Sequence, residues 1–380
     1  MTIVDRGLIF DSAGQPEAEK TASLADLCRT ASGVLFCTFQ LGPVKNAPNS
    51  TLCVHRSRDQ GRTWQRLPIA FATAVAGVPG SLSTGQMAEV RPGRLLLMAT
   101  WIDRSDPTRP FFDPATEGIL PTKILKAFST DEGESWSAWE EVHLPGARYC
   151  LHGSGPLVQW SDGAIALPFE SHKPFDDPDP ARRDVQASWL MVSKDFGTTF
   201  TGPYLVAQHP QHTVYYWDQR VCAGKQSGDY CALFWTHDRG LGRDVNVHMK
   251  QGRLAPADAS SETVQDTMMP GQIATPTYLP GGQLCALVVD RRWPGKIALW
   301  LSKDNGASWL EQAPAYVHSG AAPSGYGSDT VKYAEVWESL EKWRFGHPMM
   351  RVLTDRLGLI TYYAGTAAGL DIHWARVEWE

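Results

Sequence analysis

The sequence has no apolar run long enough to cross a bilayer as a helix. Its longest, residues 95–102, is interrupted by Thr100 and falls far short of the ~20 residues a span requires, so no membrane partner is expected. Paired cysteines are lacking as well. The seven present (Cys28, Cys37, Cys53, Cys150, Cys222, Cys231, Cys285) form an odd set without a Cys-x-x-Cys pair, which argues against a disulfide framework and against a cysteine zinc cage. Nor is there an excess of positive charge. Lys and Arg total 35 against 41 Asp and Glu, a net charge of −6, which gives no basic field for a phosphate backbone and argues against nucleic acid as a partner. The opening Met1-Thr-Ile-Val-Asp-Arg-Gly-Leu has neither the basic start nor the apolar centre of a secretory signal. The expectation is a cytoplasmic protein with buried, reduced thiols.

What is present is material for a large β-rich core. Hydrophobic residues make up 43% of the 380 and charged ones 20%, ordinary usage for a folded chain. The 34 Gly and 26 Pro supply many turns, and the 15 Trp suit pleated, half-buried strands. One pattern occurs four times: Ser57-Arg-Asp59-Gln-Gly61-Arg-Thr-Trp64, Ser129-Thr-Asp131-Glu-Gly133-Glu-Ser-Trp136, Ser193-Lys-Asp195-Phe-Gly197-Thr-Thr-Phe200 and Ser302-Lys-Asp304-Asn-Gly306-Ala-Ser-Trp309. Its chemistry is that of a self-capped turn, in which the Asp carboxylate accepts backbone N–H groups, Gly supplies a positive φ and the aromatic packs back beneath. Four identical catalytic carboxylates would be redundant, so these aspartates read as structural.

A second pattern, an apolar run, a glycine turn and another apolar run, occurs six times: 24–39 around Gly33, 87–101 around Gly93, 157–169 around Gly163, 221–235 around Gly228, 277–289 around Gly282 and 350–363 around Gly358. The turns are 54 to 76 residues apart, with a mean of 65. Six such units fill the chain and fit a propeller of four-stranded blades, hence one all-β, six-bladed domain over 1–380. The alternation of Ile372, Trp374, Val377 and Trp379 suggests that the last segment pairs with residues 3–10. One stretch reads as a helix: Asp329 capping 330–344, with Val331, Ala334, Leu340 and Trp343 at helical spacing, an insertion between the fifth and sixth blades. Segments 103–121 and 172–183, rich in Pro and Asp, read as long functional loops.

The four Asp motifs on six repeats resemble the sialidase superfamily of Asp-box (BNR-repeat) propellers over the whole chain. The resemblance implies that the motifs lie on a rim away from the active face, and that the pocket forms where innermost strands begin and second strands end. Gln86, His152, Asp218 with Arg220, Gln272 and His347 stand at the first kind of position. Gln40, Trp101 with Asp103 and Arg104, Glu170 with His172, His237 with Asp238, Asp290 with Arg291 and Arg292, and Tyr362 with Tyr363 stand at the second. Sialidases hold a substrate carboxylate with three arginines and use a tyrosine nucleophile, a glutamate and an aspartic acid. Here the register of their first arginine falls on Thr21-Ala22-Ser23, and residues 40–50, where their aspartic acid would lie, contain none.

The first expectation is an exo-acting glycoside hydrolase of the sialidase type on the terminal acidic sugar of an oligosaccharide. His152, Glu170, Asp218, His237 and Tyr362 are its candidate catalytic residues. Gln86, Arg104, Trp217, Arg220, Gln272, Arg291, Arg292 and His347 are the candidates for holding substrate. Arg220 with Arg291 or Arg292 would bind the carboxylate, and a half-desolvated Glu170 would act as the acid. The second expectation is a lyase eliminating next to a uronic acid, with His152, His237 or a tyrosine as base. The third is a carbohydrate-binding propeller without chemistry. No spacing demands a metal, and no cofactor is expected.

Overall fold

The computed structural model describes residues 1–144, 147, 149–179, 181–254, 263–292, 294–321 and 342–380. Strands dominate throughout; the only helical segment defined among the described residues is a single turn at Glu17–Glu19. The helix expected over 330–344 falls almost wholly outside the described residues. No helix among those described is long and apolar enough to cross a membrane.

The strands form antiparallel meanders in chain order. Thr21–Arg29, Leu35–Gly42, Thr51–Ser57 and Gln65–Arg66 make one. Gly80–Arg91, Arg94–Asp103, Thr122–Ser129 and Glu140–Glu141 make the next. Then follow Cys150–Gly153 with Val158–Gln159, Ile165–His172, Ala187–Ser193 and Thr201–Ala207, then Val214–Ala223, Asp229–Asp238, His248–Arg253 and Gln265–Asp266. Ala274–Tyr278, Leu284–Asp290, Gly295–Ser302 and Leu310–Glu311 come fifth. The last sheet contains Phe345–Thr354, Leu357–Thr366 and Gly369–Glu378, and its outer edge is Thr2–Phe10 from the other end of the chain, antiparallel to Gly369–Glu378. A single parallel pairing, Thr21 with Leu370, joins this sheet to the first.

Central strands buried on both faces need apolar residues on both faces. This is why the longest apolar run lies within Arg94–Asp103, where residues 95–102 are all buried. Five of the six expected turn glycines adopt positive φ: Gly33, Gly93, Gly163, Gly228 and Gly282, between 75° and 86°. Gly358 does not. The turn there is Asp355-Arg356, and Gly358 sits in the following strand, where a Cβ would come within 3.1 Å of the Trp379 ring.

Each of the four Ser-x-Asp motifs links a third strand to a fourth. In the first, Asp59 Oδ1 accepts the Arg62 and Thr63 amides at 3.0 and 2.9 Å, and Oδ2 accepts the Thr63 hydroxyl at 2.7 Å. Gly61 has φ 84°, and the Trp64 indole donates to the Gly61 carbonyl at 3.0 Å. The serine adds what the sequence did not reveal: Ser57 Oγ donates to Asp59 at 2.8 Å and accepts the Gly61 amide at 2.9 Å. Burial opposes ionisation of Asp59, but the Thr63 amide and hydroxyl and the Ser57 hydroxyl outweigh it and hold the carboxyl down at about 2.

A carboxyl whose proton affinity is lower in the folded chain contributes stability above its unfolded pKa, and that contribution is lost as pH falls toward the folded one. The urea midpoint should therefore decline as pH drops from about 4 to about 2. Asp59→Ala should lower stability at pH 7 by about 1 kcal/mol, as for loss of a helix cap, and flatten that decline in equilibrium urea titrations.

Candidate functional site

The inner strands of four sheets share one irregularity. Register shifts interrupt pairing at Ser23–Asp26, Leu82–Gly85, Trp217–Arg220 and Gly346–Met349. In three of them the inserted residue is left-handed although it is not glycine: Leu24 at φ 55°, Asp218 at 48° and His347 at 49°. Such bulges re-aim side chains at a backbone cost of the order of 1 kcal/mol or more per residue. The third sheet breaks its inner strand outright between Gly153 and Val158. There Gly155, at φ 65°, approaches so close that a Cβ would lie 2.6 Å from the Gln219 carbonyl.

These interruptions surround one cavity of about 860 Å³, counted out to its open mouth. Of the residues singled out from the sequence, Gln86, His152, Glu170, Trp217, Asp218, Arg220 and His347 line it. Arg220 Nη2 lies 2.5 Å from Asp218 Oδ1 and 2.9 Å from His347 Nδ1. Burial alone would raise the Asp218 pKa, but the charge of Arg220 brings it below the usual carboxylate value. Burial, with Arg220 beside it, pushes His347 well below the usual imidazole value. Burial and then His172 lower His152 to about 4. Both imidazoles are therefore neutral at pH 7. His152 Nε2 lies 3.2 Å from Ser83 Oγ, and Glu170 accepts the Gln219 amide at 3.0 Å with His172 at 3.6 Å from its other oxygen. One wall is aromatic: Trp217, Trp235 and Trp343 contact one another in series at centroid separations of 5.5 and 5.1 Å, and Phe111 sits 6.1 Å from His152.

Other expected residues lie elsewhere. His237 stacks on Trp217 at 5.0 Å behind that wall and bonds Asp244 at 2.8 Å, the partner its sequence neighbour Asp238 could not be. Gln272 donates to the other Asp244 oxygen at 2.8 Å, and Arg291 donates to Gln272 and to the Phe345 carbonyl while lying 4.2 Å over Trp343. His237, Gln272 and Arg291 thus form a buried chain supporting the aromatic wall rather than lining the cavity. Arg104 is buried beside the loop, donating to Ser81 Oγ and to the Asn46 carbonyl at 2.9 and 2.7 Å. Arg292 points outward, its side chain 63% exposed and paired with Asp290. Tyr362 turns away from the cavity and stacks on His373 at 5.2 Å. Alternation gives the cavity side to Tyr363, whose hydroxyl accepts from Lys45 Nζ at 3.0 Å and whose ring is 6.2 Å from His347.

The cavity also contains Asp26, Asn46, Ser83, Thr84 and Ser154, none of which the sequence singled out. Asp26 is 2% exposed; its Oδ2 accepts the Met87 amide at 2.9 Å, and its Oδ1 has no hydrogen-bond partner among the described residues. Burial raises its pKa, only partly offset by Arg351. A lone carboxyl inside the otherwise apolar run Leu24-Ala-Asp26-Leu-Cys28 was its available signal. Asn46 and Lys45 come from a loop with no motif. No group of three or more side chains suited to a metal ion occurs among the described residues.

With this geometry, the chain superposes on solved propellers over its whole length. A Dyadobacter fermentans protein of unknown function matches with a TM-score of 0.70 at 18% identity, covering 100% of this chain and 99% of that one. The Hadza microbial sialidase Hz136 matches at 0.66 and 17%, covering 98% and 68%. The fold is the sialidase-like β-propeller. A Penicillium chrysogenum alpha-L-arabinanase, solved with arabinobiose, has the same propeller at a TM-score of 0.63 and 14% identity, covering 100% and 99%. No protein-family model matches the chain, and no curated protein matches it in sequence.

His152 should titrate near 4 in the native propeller, observable as the imidazole nitrogen shifts in NMR spectra against pH. An imidazole kept neutral by folding costs stability as its unfolded counterpart charges. His152 therefore contributes to a fall in stability as pH drops from about 6.5 to about 4, and His152→Gln should reduce that fall.

Proposed function

We propose that the chain is an exo-acting glycoside hydrolase, built as six four-stranded blades with the amino-terminal strand completing the last. The observation that carries it is a pair of carboxyls on one cavity whose surroundings drive their proton affinities apart: Asp26 upward by burial, Asp218 downward through Arg220. Such divergence divides the roles of acid and base between two like groups. Asp26 is then the proton donor to the departing glycosidic oxygen. Asp218 stays ionised to stabilise positive charge at the anomeric carbon and to take the proton of the attacking water. Glu170, which accepts the Gln219 amide and has His172 3.6 Å from its other oxygen, is the third carboxyl at the site. Cavity-lining residues come from five of the six blades, so they enclose the end of a saccharide chain better than its middle.

The arginines do not support the acidic-sugar part of the expectation: Arg291 lies behind Trp343, Arg292 points to solvent, and Arg220 is already paired with Asp218. A second reading, elimination next to a uronic acid, is favoured by the neutral imidazole of His152, a base in its active form at pH 7.

The test is incubation with oligosaccharides ending in neutral, uronate or sialate sugars, following both new reducing ends and the ultraviolet absorbance of a conjugated double bond. Hydrolysis gives reducing ends without absorbance. An absorbing product would establish the lyase, and no turnover on a broad panel would favour a binding propeller. Asp26→Asn and Asp218→Asn should each lower kcat/KM by about 10²–10⁴-fold. Activity should decline at high pH as Asp26 loses its proton and at low pH as Asp218 gains one. Asp26→Asn should remove the alkaline limb from the residual rate.

A further inference from the structure

Charge and hydrogen-bonding capacity at the cavity bear on which sugar it takes. Three carboxyls line it, Asp26, Glu170 and Asp218, against one guanidinium. That guanidinium, Arg220, is 1% exposed and already shares Nη2 between Asp218 and His347. The nearby cations are engaged too. Lys45 Nζ donates to the Trp343 carbonyl at 2.5 Å and to Tyr363 at 3.0 Å, and Arg291 donates to Gln272 and the Phe345 carbonyl. A guest carboxylate would meet Glu170 and Asp218 with only the single charge of Arg220, already paired with Asp218, to set against the two.

Hydrogen bonding points the same way. Gln86, 4% exposed, has a buried Oε1 without a hydrogen-bond partner among the described residues, and Asp26 Oδ1 and Ser154 Oγ are in the same condition. Arg220 Nε and Trp235 Nε1, buried donors on the same cavity, also lack partners among the described residues, so a well-fitting guest both donates and accepts. A carboxylate has none to give, whereas every sugar hydroxyl can both donate and accept. Across the cavity the Trp217 and Trp235 rings offer apolar surface for the C–H face of a pyranose or furanose ring.

We infer that the cavity is selective for a neutral, polyhydroxylated terminal sugar and discriminates against its carboxylate counterparts. This rests on the hydrolase reading only for the sugar being a substrate; the ligand class stands on the cavity itself.

The experiment is calorimetric titration of the full chain, at pH 7 and low salt, with D-galactose against D-galacturonate, and with L-arabinose against N-acetylneuraminate. The neutral sugar of each pair should bind at least about tenfold more tightly, a difference of about 1.4 kcal/mol. Glu170→Gln should raise galacturonate binding relative to galactose several-fold, a change in selectivity that a merely structural Glu170 would not produce. Gln86→Leu should weaken galactose. Acids binding as tightly as neutral sugars, or no neutral sugar binding at millimolar concentration, would overturn the inference. Neutral sugars that bind while no glycoside of any kind is cleaved would support the ligand class and overturn the hydrolase. Cleavage confined to acid-terminated oligosaccharides would do the reverse.

Discussion

A β-strand presents alternate side chains to opposite faces, yet the innermost strands here must pack between neighbouring sheets and also feed polar groups into a shared cavity. Regular alternation cannot serve both demands. The bulges at Leu24, Asp218 and His347 resolve the conflict by inserting one left-handed residue per strand, so that Asp26, Arg220 and Met349 resume alternation beyond it. Each costs backbone energy, which the surrounding sheets offset. Placement of Asp218 and His347 beside Arg220 depends on this device, and so does the reach of Asp26 to the same cavity.

Burial then sets the chemistry. Charged groups taken out of water must be paired or neutral, and the cavity uses both solutions. Asp218 stays ionised because Arg220 is 2.5 Å away, while His152 and His347 give up their protons. Asp26 has no cation at hydrogen-bonding distance, so its burial favours the proton instead. The supporting chain of His237, Asp244, Gln272 and Arg291 lies behind the tryptophans, where it fixes the wall's orientation without exposing charge to a ligand. Polarity and apolar surface are thereby segregated to different sides of the cavity.

Much of this was legible residue by residue. The Ser-x-Asp turns are local: the capping bonds among their Ser, Asp, Gly and Ser or Thr groups span at most four residues, so pattern alone reveals them. Gln86, His152, Asp218, Arg220 and His347 could be picked out because they are polar groups near the entry of an inner strand, where the resemblance places the pocket, and Gln86, His152 and His347 also adjoin glycine. Tyr362 and Tyr363, by contrast, are adjacent and chemically identical, and only the register of Leu357–Thr366 against Gly369–Glu378 decides which faces inward. Arg291 and Arg292 pose the same problem with a different outcome, since one is buried behind Trp343 and the other exposed. Lys45 meets Tyr363 across 318 residues, a separation that no local pattern encodes.

The sequence by itself determined the repeating units, the capped turns between third and fourth strands and the end of the hairpins at which polar groups gather, because those depend on interactions among near neighbours. Tertiary structure alone decided which of those polar groups share a cavity, which are spent on holding its walls, and what protonation each adopts. Proton affinity and charge compensation depend on burial and on partners from other sheets, and both come into being only when the sheets assemble around a common space.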